Sequence, residues 1–182
     1  MWMTLPRRYS YADYLQMPDE QRCEIIGGRL RMTPSPSGDH QTVLAQMLVV
    51  LWQFAMGTGL GKVICAPYDV VLSDHDIVQP DILFVAKSHL DRYNGKGPLR
   101  GAPDLAIEIL SPSTAQWDRV EKRELYARSG VQSYWLVDLE TRSITVIALP
   151  GDAERIYRLG ETLTDPVLPG FAMLVDELLH LD

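Results

Sequence analysis

Seven residues, Asp104-Leu105-Ala106-Ile107-Glu108-Ile109-Leu110, leave the chain little choice of architecture. Successive side chains of an extended strand point to opposite sides, so Leu105, Ile107 and Ile109 share one face and Ala106, Glu108 and Leu110 share the other. Both faces are apolar except at Glu108. A strand of that kind lies inside a sheet covered on both sides, because a solvated face would alternate apolar and polar residues. Strand-like runs elsewhere cluster between helical ones rather than alternating strictly with them. The expectation is an α/β fold, a mixed sheet flanked by helices.

Ser10, with Asp13 three residues on, forms a capping box for a short helix that Pro18 ends. Residues 23–26 and 29–32 flank Gly27-Gly28 and predict a hairpin. After a Pro/Ser-rich loop, Val43, Leu44, Met47, Leu48, Leu51, Trp52 and Phe54 recur at helical spacing from Asp39 onward, a long buried helix stopped by Gly57 and Gly59. Strands are expected at 62–66, 69–72 and 77–85, the last two joined by Ser73-Asp74-His75-Asp76. Beyond 104–110, Ser113 or Thr114 can cap a charged helix over 115–129 that Gly130 closes, and 133–138 with 143–149 predict a second hairpin.

The chain of 182 residues shows no internal repeat or linker and is expected to form one domain over 1–182. A formal net charge of -7 argues against a protein that coats nucleic acid non-specifically, since that binding is driven by lysine and arginine. Cys23 and Cys65 lack a second ligand at zinc spacing and read as buried reduced thiols. Residues 1–8 hold no apolar core of signal-peptide length, and no run approaches the ~18 apolar residues of a membrane span. A soluble, cytoplasmic protein with no membrane partner is expected.

Two extended runs carry an acid that the apolar pattern does not want: Asp81 in 78–85 and Glu108. Each could sit at a solvated edge or be satisfied by an arginine. Two enclosed acids on neighbouring strands, however, repel each other unless a cation lies between them. An oxygen-seeking divalent metal is the natural choice, and Mg2+ uses one or two protein carboxylates plus phosphate oxygens. The chemistry suggested is phosphodiester hydrolysis.

Pro80-Asp81 followed by Glu108 on the next core strand resembles the PD-(D/E)XK nuclease superfamily. Taken with Glu24 in Cys23-Glu24-Ile25-Ile26-Gly27-Gly28, His40-Gln41 opening a helix, Gln79 before Pro80, and Glu108-Ile109-Leu110-Ser111-Pro112-Ser113-Thr114 with Lys122, the chain is similar to the Uma-two family of restriction endonucleases. The resemblance runs over about 11–169. It implies a restriction-endonuclease-like core that hydrolyses DNA, with Mg2+ or Mn2+ as cofactor and a homodimer as the assembly. It makes Asp81 and Glu108 metal ligands with the Ile109 carbonyl a third, and places Glu24 as a supporting acid that reaches the metal through water. The superfamily's lysine two residues after the glutamate is Leu110 here, and Lys122 on the following helix takes that role. Gly27 and Arg29 stand where relatives often carry acids.

His40 reads either as a phosphate contact or proton carrier, or as a helix-terminal residue near the pocket. Asp104, at a strand start, and Ser111 and Ser113, in a strand-ending loop, read as structural. On a helical wheel Leu125 and Tyr126 share the arc of Lys122, with Asp118 one turn before it. Lys122 reads either as a snorkelling lysine paired with Asp118 or as a cation that reaches back to the acids, and in the second case it is expected to matter more to turnover than to folding. Arg123, about 100° away round the helix, is expected to meet DNA. The alternative function is a catalytically silent nuclease fold used for binding or assembly, which the acidic charge favours.

Overall fold

The computed structural model describes residues 7–18, 21–149 and 151–180, so that most of the stretch read for a leader, 1–6, lies outside the described residues. Helix α1 (Tyr11–Tyr14) opens on the expected capping box, with Asp13 N donating to Ser10 Oγ at 3.3 Å and Ser10 N to Asp13 Oδ2 at 2.8 Å. Strands β1 (Cys23–Ile26) and β2 (Arg29–Met32) form the hairpin. Its two turn residues, Gly27 and Gly28, have φ of 59° and 77°, the left-handed pair that a tight hairpin turn demands and that glycine adopts without strain. Helix α2 (Gly38–Thr58) starts on Ser37, whose Oγ accepts from His40 N, and ends on left-handed Gly59. Its buried residues Val43, Met47, Leu51 and Ala55 recur every fourth position and form one stripe.

The extended segments are β3 (Gly61–Cys65), β4 (Val70–Ser73), β5 (Asp76–Val78), β6 (Ile82–Ala86), β7 (Leu99–Arg100), β8 (Leu105–Ile109), β9 (Ser133–Asp138), β10 (Ser143–Ala148), β11 (Ala153–Arg158), β12 (Thr162–Thr164) and β13 (Ala172–Leu174). A six-stranded sheet runs β11-β10-β9-β8-β6-β3, with β8 and β9 parallel and the other neighbours antiparallel. A second sheet of five strands runs β2-β1-β5-β4-β7, and β12 pairs β13. The chain closes on α5 (Val175–Leu178).

The alternation in β8 does what its sequence requires. Leu105, Ile107 and Ile109 pack with the α2 stripe, Ile82, Phe84, Trp135 and Val137, while Ala106 and Leu110 pack on the other side with Leu83, Val85, Tyr134, Leu125 and Tyr126. Glu108 is thus enclosed, as the pattern implied.

Three expectations need correcting. Residues 77–85 are not one strand: β5 belongs to the five-stranded sheet and β6 to the six-stranded one, and Gln79-Pro80-Asp81 is the crossing between them. Proline lacks the N–H that a ladder needs, so the pairing stops there. The helix after β8 is not uniform either. It runs as α3 (Ala115–Trp117), a π-helical turn (Asp118–Lys122) and α4 (Arg123–Ser129), ending on left-handed Gly130. Its first residue follows Thr114, which makes no side-chain cap to the backbone and instead shares hydroxyl contacts with Ser111. Of the two free cysteines, Cys23 is buried but Cys65 only partly so.

At Gly61, on the edge strand β3, an added methyl would collide with the carbonyl of Val85 and the Phe84 ring. Backbone cannot swing aside as a long side chain can, so Gly61→Ala is expected to cost about 1–3 kcal/mol. Thermal unfolding followed by circular dichroism should show a fall of about 2–4 °C for each kcal/mol lost.

Candidate active site

Asp81 stands at the entry to β6 and Glu108 near the end of β8. The register Ile82↔Ile107 sets the two acids opposite each other on neighbouring strands. Asp81 Oδ2 is fixed by Ile109 N at 2.8 Å and faces His40 Nε2 at 3.2 Å. Since a carboxylate accepts, that ring nitrogen is the donor. His40 Nδ1 is buried and has no hydrogen bond among the described residues. The helix start places His40 here through Ser37, so its position is both structural and adjacent to the acids.

Lys122 is the centre of the arrangement. Its ammonium lies 2.9 Å from Glu108 Oε1, 3.0 Å from Glu24 Oε1 and 3.5 Å from Asp118 Oδ1. All four residues are at most 4% exposed. Glu24 comes from β1 and is also held by Gln79 N at 2.8 Å, so the residue beside Pro80 anchors the hairpin acid. Glu108 Oε1 takes a second donor, Tyr126 OH at 2.9 Å, and Tyr134 OH donates to the Asp118 carbonyl at 3.0 Å. The π turn brings Asp118 and Lys122 onto this buried side together, a use of π-turns that recurs at functional sites.

One ammonium among three buried carboxylates, with Asp81 nearby, leaves an excess of negative charge. Burial pushes Glu108 well above its ordinary range; Lys122 opposes this, and Asp118, Asp81 and Glu24 add to it. Asp118 is raised as well, by burial first. For Lys122 burial favours the neutral form, but Glu108, Glu24 and Asp118 outweigh it and hold the ammonium charged well above its ordinary range.

The cluster floors a cleft of about 640 Å³ whose walls include Glu24, His40, Asp81, Glu108, Ile109 and Lys122, together with Arg22, Arg31 and Arg119. Among the described residues, no three His, Cys, Asp or Glu side chains form a ready-made metal cluster. The donor set still fits a hard cation that keeps most of its waters. Asp81 Oδ1 and Glu108 Oε2 make no hydrogen bond among the described residues, and the Ile109 main chain lies beside them.

The sequence-predicted residues Glu24, His40, Asp81, Glu108, Ile109 and Lys122 therefore converge on one cleft. Glu24 touches Lys122 directly, so its geometry is that of a lysine anchor. Arg123 pairs with Asp152 at 3.4 Å and Glu154 at 3.1 Å, both exposed, and does not line the cleft. Lys122 is buried against three acids, and removing it would strand their charges, so folding depends on it. Asp104 is structural, accepting from Ala86 N, His89 Nδ1 and Gln132 Nε2. Ser111 and Ser113 hydroxyls bond each other. Asp118, Tyr126 and Tyr134 were not singled out as site residues, although four-residue spacing from Lys122 marked the first two.

Acids grouped where strands of a mixed, helix-flanked sheet end beside a buried lysine define a restriction-endonuclease-like core. The chain belongs to the Uma2 family, described as "putative restriction endonuclease", whose model matches residues 11–176. A protein from Anabaena variabilis ATCC 29413, described as "a putative nuclease belonging to DUF820", has the same fold in its crystal structure: the TM-score is 0.80 at 22% identity, over 93% of this chain and 97% of that one. No curated protein matches the sequence. Among the described residues, no helix is long and apolar enough to cross a membrane.

The raised value of Glu108 fixes the sign of a pH effect. Unfolded, the side chain ionises around its ordinary 4.5; folded, it keeps its proton to higher pH. The folded state then binds more protons, and stability is lost as pH rises through the folded value. Glu108→Gln keeps an acceptor for Lys122 and Tyr126 but cannot ionise. Its melting temperature is expected to gain on the parent's as pH rises above 4.5, by about 2–4 °C per kcal/mol, where one pKa unit is about 1.4 kcal/mol. A constant difference across pH 4–9 would show that Glu108 ionises normally.

Proposed function

We propose that the protein is a metal-dependent endonuclease that hydrolyses DNA phosphodiester bonds with Mg2+ or Mn2+ in the cytoplasm. The observation that carries this reading is the buried Lys122 ammonium, 2.9 Å from Glu108, at the floor of a cleft that also exposes Asp81 and bears three arginines on its walls. Family membership supports it. Asp81 Oδ1, Glu108 Oε2 and the Ile109 carbonyl would hold the cation. When bound, a divalent ion supplies charge neutralisation at the phosphate and a more acidic water.

The chain's own residues supply the rest. His40 and Ile109 N–H fix the Asp81 carboxylate, and Tyr126 and Lys122 fix Glu108, so that each acid turns one oxygen to the cleft. Lys122 keeps its proton, which suits it to orient a water or stabilise charge developing on the phosphate, not to act as a base. Glu24 and Asp118 hold its ammonium in place. The net charge of -7 favours the second reading, a catalytically silent binding or assembly module.

Supercoiled plasmid incubated with Mg2+ or Mn2+ separates the two. The parent is expected to nick or linearise it and Asp81→Ala to leave it intact; cleavage by both, or by neither, overturns the assignment. Lys122→Gln is expected to lower cleavage by about 10²-fold or more, the scale of losing one transition-state contact. Saturating metal should raise the melting temperature, since at a hundredfold excess over Kd ligand linkage gives about 2.7 kcal/mol. Asp81→Asn should lose that rise and Lys122→Gln should keep it.

A homodimer belongs to the same proposal, because a duplex presents two strands related by two-fold symmetry. Val49, Trp52 and Met56, each at least half exposed on α2, support it, as does the absence of any charged residue over 41–58. Light scattering at micromolar concentration is expected to give twice the 20.5 kDa chain mass, and a value near 20.5 kDa would refute the dimer.

A further inference from the structure

The catalytic cleft does not end at Arg22. Arg22, Pro67 and Gln79 are shared with a second cavity of about 810 Å³. Its walls carry three half-buried tyrosines, Tyr11, Tyr14 and Tyr68. Tyr11 and Tyr14 stack with centroids 6.3 Å apart and planes 16° from parallel. Tyr68 is braced by its hydroxyl on the Gly97 carbonyl at 2.9 Å and by the Tyr93 ring at 6.2 Å.

Among these rings stands Asp69. Its Oδ1 accepts from Tyr14 OH and from Gln79 Nε2, both at 2.7 Å. Its Oδ2 has no hydrogen bond, and the carboxylate no ion pair, among the described residues. Arg22 and Lys96 also line the cavity, but neither pairs with Asp69, and an unpaired carboxylate repels phosphate, so the position beside Asp69 does not suit the backbone. Aromatic faces beside a free acceptor suit a flat ring with N–H donors on its edge. Nucleobases with an exocyclic amino group offer that: cytosine at N4, adenine at N6 and guanine at N2, whereas thymine has no amino group and its one ring donor, N3–H, lies between two carbonyl oxygens that a carboxylate repels. Unpaired bases are taken up by just this combination of stacking and edge hydrogen bonds.

We propose that the second cavity receives an unpaired nucleobase of the strand whose phosphate lies at Asp81 and Glu108, and that Asp69 selects a base with an exocyclic amino group over thymine. That the ligand is a strand cut at the cleft rests on the nuclease reading. The two sites are joined through Gln79, whose amide side chain holds Asp69 while its backbone N–H holds Glu24, the anchor of Lys122. Tyr68 makes its hydrogen bond to Gly97, and Asp69 reaches the catalytic cluster only through the Gln79 side chain, so binding measured without metal reads the base site and not the chemistry.

The test is fluorescence anisotropy with labelled 20-nucleotide oligodeoxycytidine and oligodeoxythymidine, in the absence of divalent metal so that binding is read without cleavage. The parent is expected to bind the cytidine strand at least fivefold more tightly. Asp69→Asn should bring the two affinities within twofold. Tyr68→Ala should weaken both about tenfold, the scale of one lost base stack, and Tyr68→Phe should restore them. Melting curves confirm that each variant folds, and Asp69→Asn decides the matter should Tyr68→Ala fail to. Equal affinities in the parent, a preference that survives Asp69→Asn, or no binding at all overturns the proposal. Selective binding without plasmid cleavage would leave this site standing and remove the nuclease reading; cleavage with no base preference in binding would do the reverse.

Discussion

Three carboxylates closing on one ammonium determine how the parts of this protein meet. Glu24 arrives on the early hairpin, Glu108 on a central strand of the larger sheet and Asp118 on the π turn, and Lys122 Nζ lies within 3.5 Å of all three. Such a cluster is poor value as a source of stability, because well-packed apolar side chains in the same volume would serve as well or better. Its worth lies in holding a charged group at a defined point beneath a cleft. Buried titratable groups displaced from their usual values by burial and by one another, and lining a cleft, are the pattern of a functional centre.

The site is also a seam. β1 and β5 belong to one sheet, β6 and β8 to the other, and the chain passes between them at Gln79-Pro80-Asp81. Each of those three residues does something different there. Gln79 satisfies Glu24 with its backbone and Asp69 with its side chain, Pro80 ends the ladder, and Asp81 turns its carboxylate to His40 and the Ile109 amide. The two cavities share Gln79 of this tripeptide, together with Arg22 and Pro67, at a point where neither sheet continues. The proline that looked out of place in a strand is the reason the strand stops, and the acid beside it is available to a cleft because the ladder has ended.

Much of this was legible in the residues themselves. The alternation in β8 fixed which side chains face α2 and which face α4, and Asp81 and Glu108 were visible because they interrupt apolar runs. Lys122 could be placed on the buried arc from Leu125 and Tyr126. What failed was non-local. Nothing within 77–85 says that its halves join different sheets, since sheet membership depends on partners tens of residues away. The π turn shifts phase over only five residues and leaves no compositional trace. Asp165, buried and accepting from Trp135 Nε1 at 2.6 Å and Val167 N at 2.7 Å, sits among Leu163, Val167 and Leu168 in the C-terminal segment, and nothing local says that its indole partner comes from a distant strand.

The acidic balance of the chain then bears on how the proposed activity would be achieved. A net charge of -7 gives no long-range attraction for a polyanion, and of the three arginines on the cleft walls Arg119 is already paired with Asp138. Binding driven by counterion release would accordingly be weak, with a shallow dependence on salt. A protein in that position must draw its affinity from short-range contacts made after encounter: stacking on rings, hydrogen bonds to base edges, and closure of phosphate oxygens on a cation held by Asp81 and Glu108. The first two need a nucleotide that has left the helical stack, because tyrosines set in a cavity cannot reach a base inside a duplex. On the proposed reading, the charge of the whole chain and the chemistry of the second cavity point the same way, to a duplex opened where it is cut, with bases exposed beside the cleft.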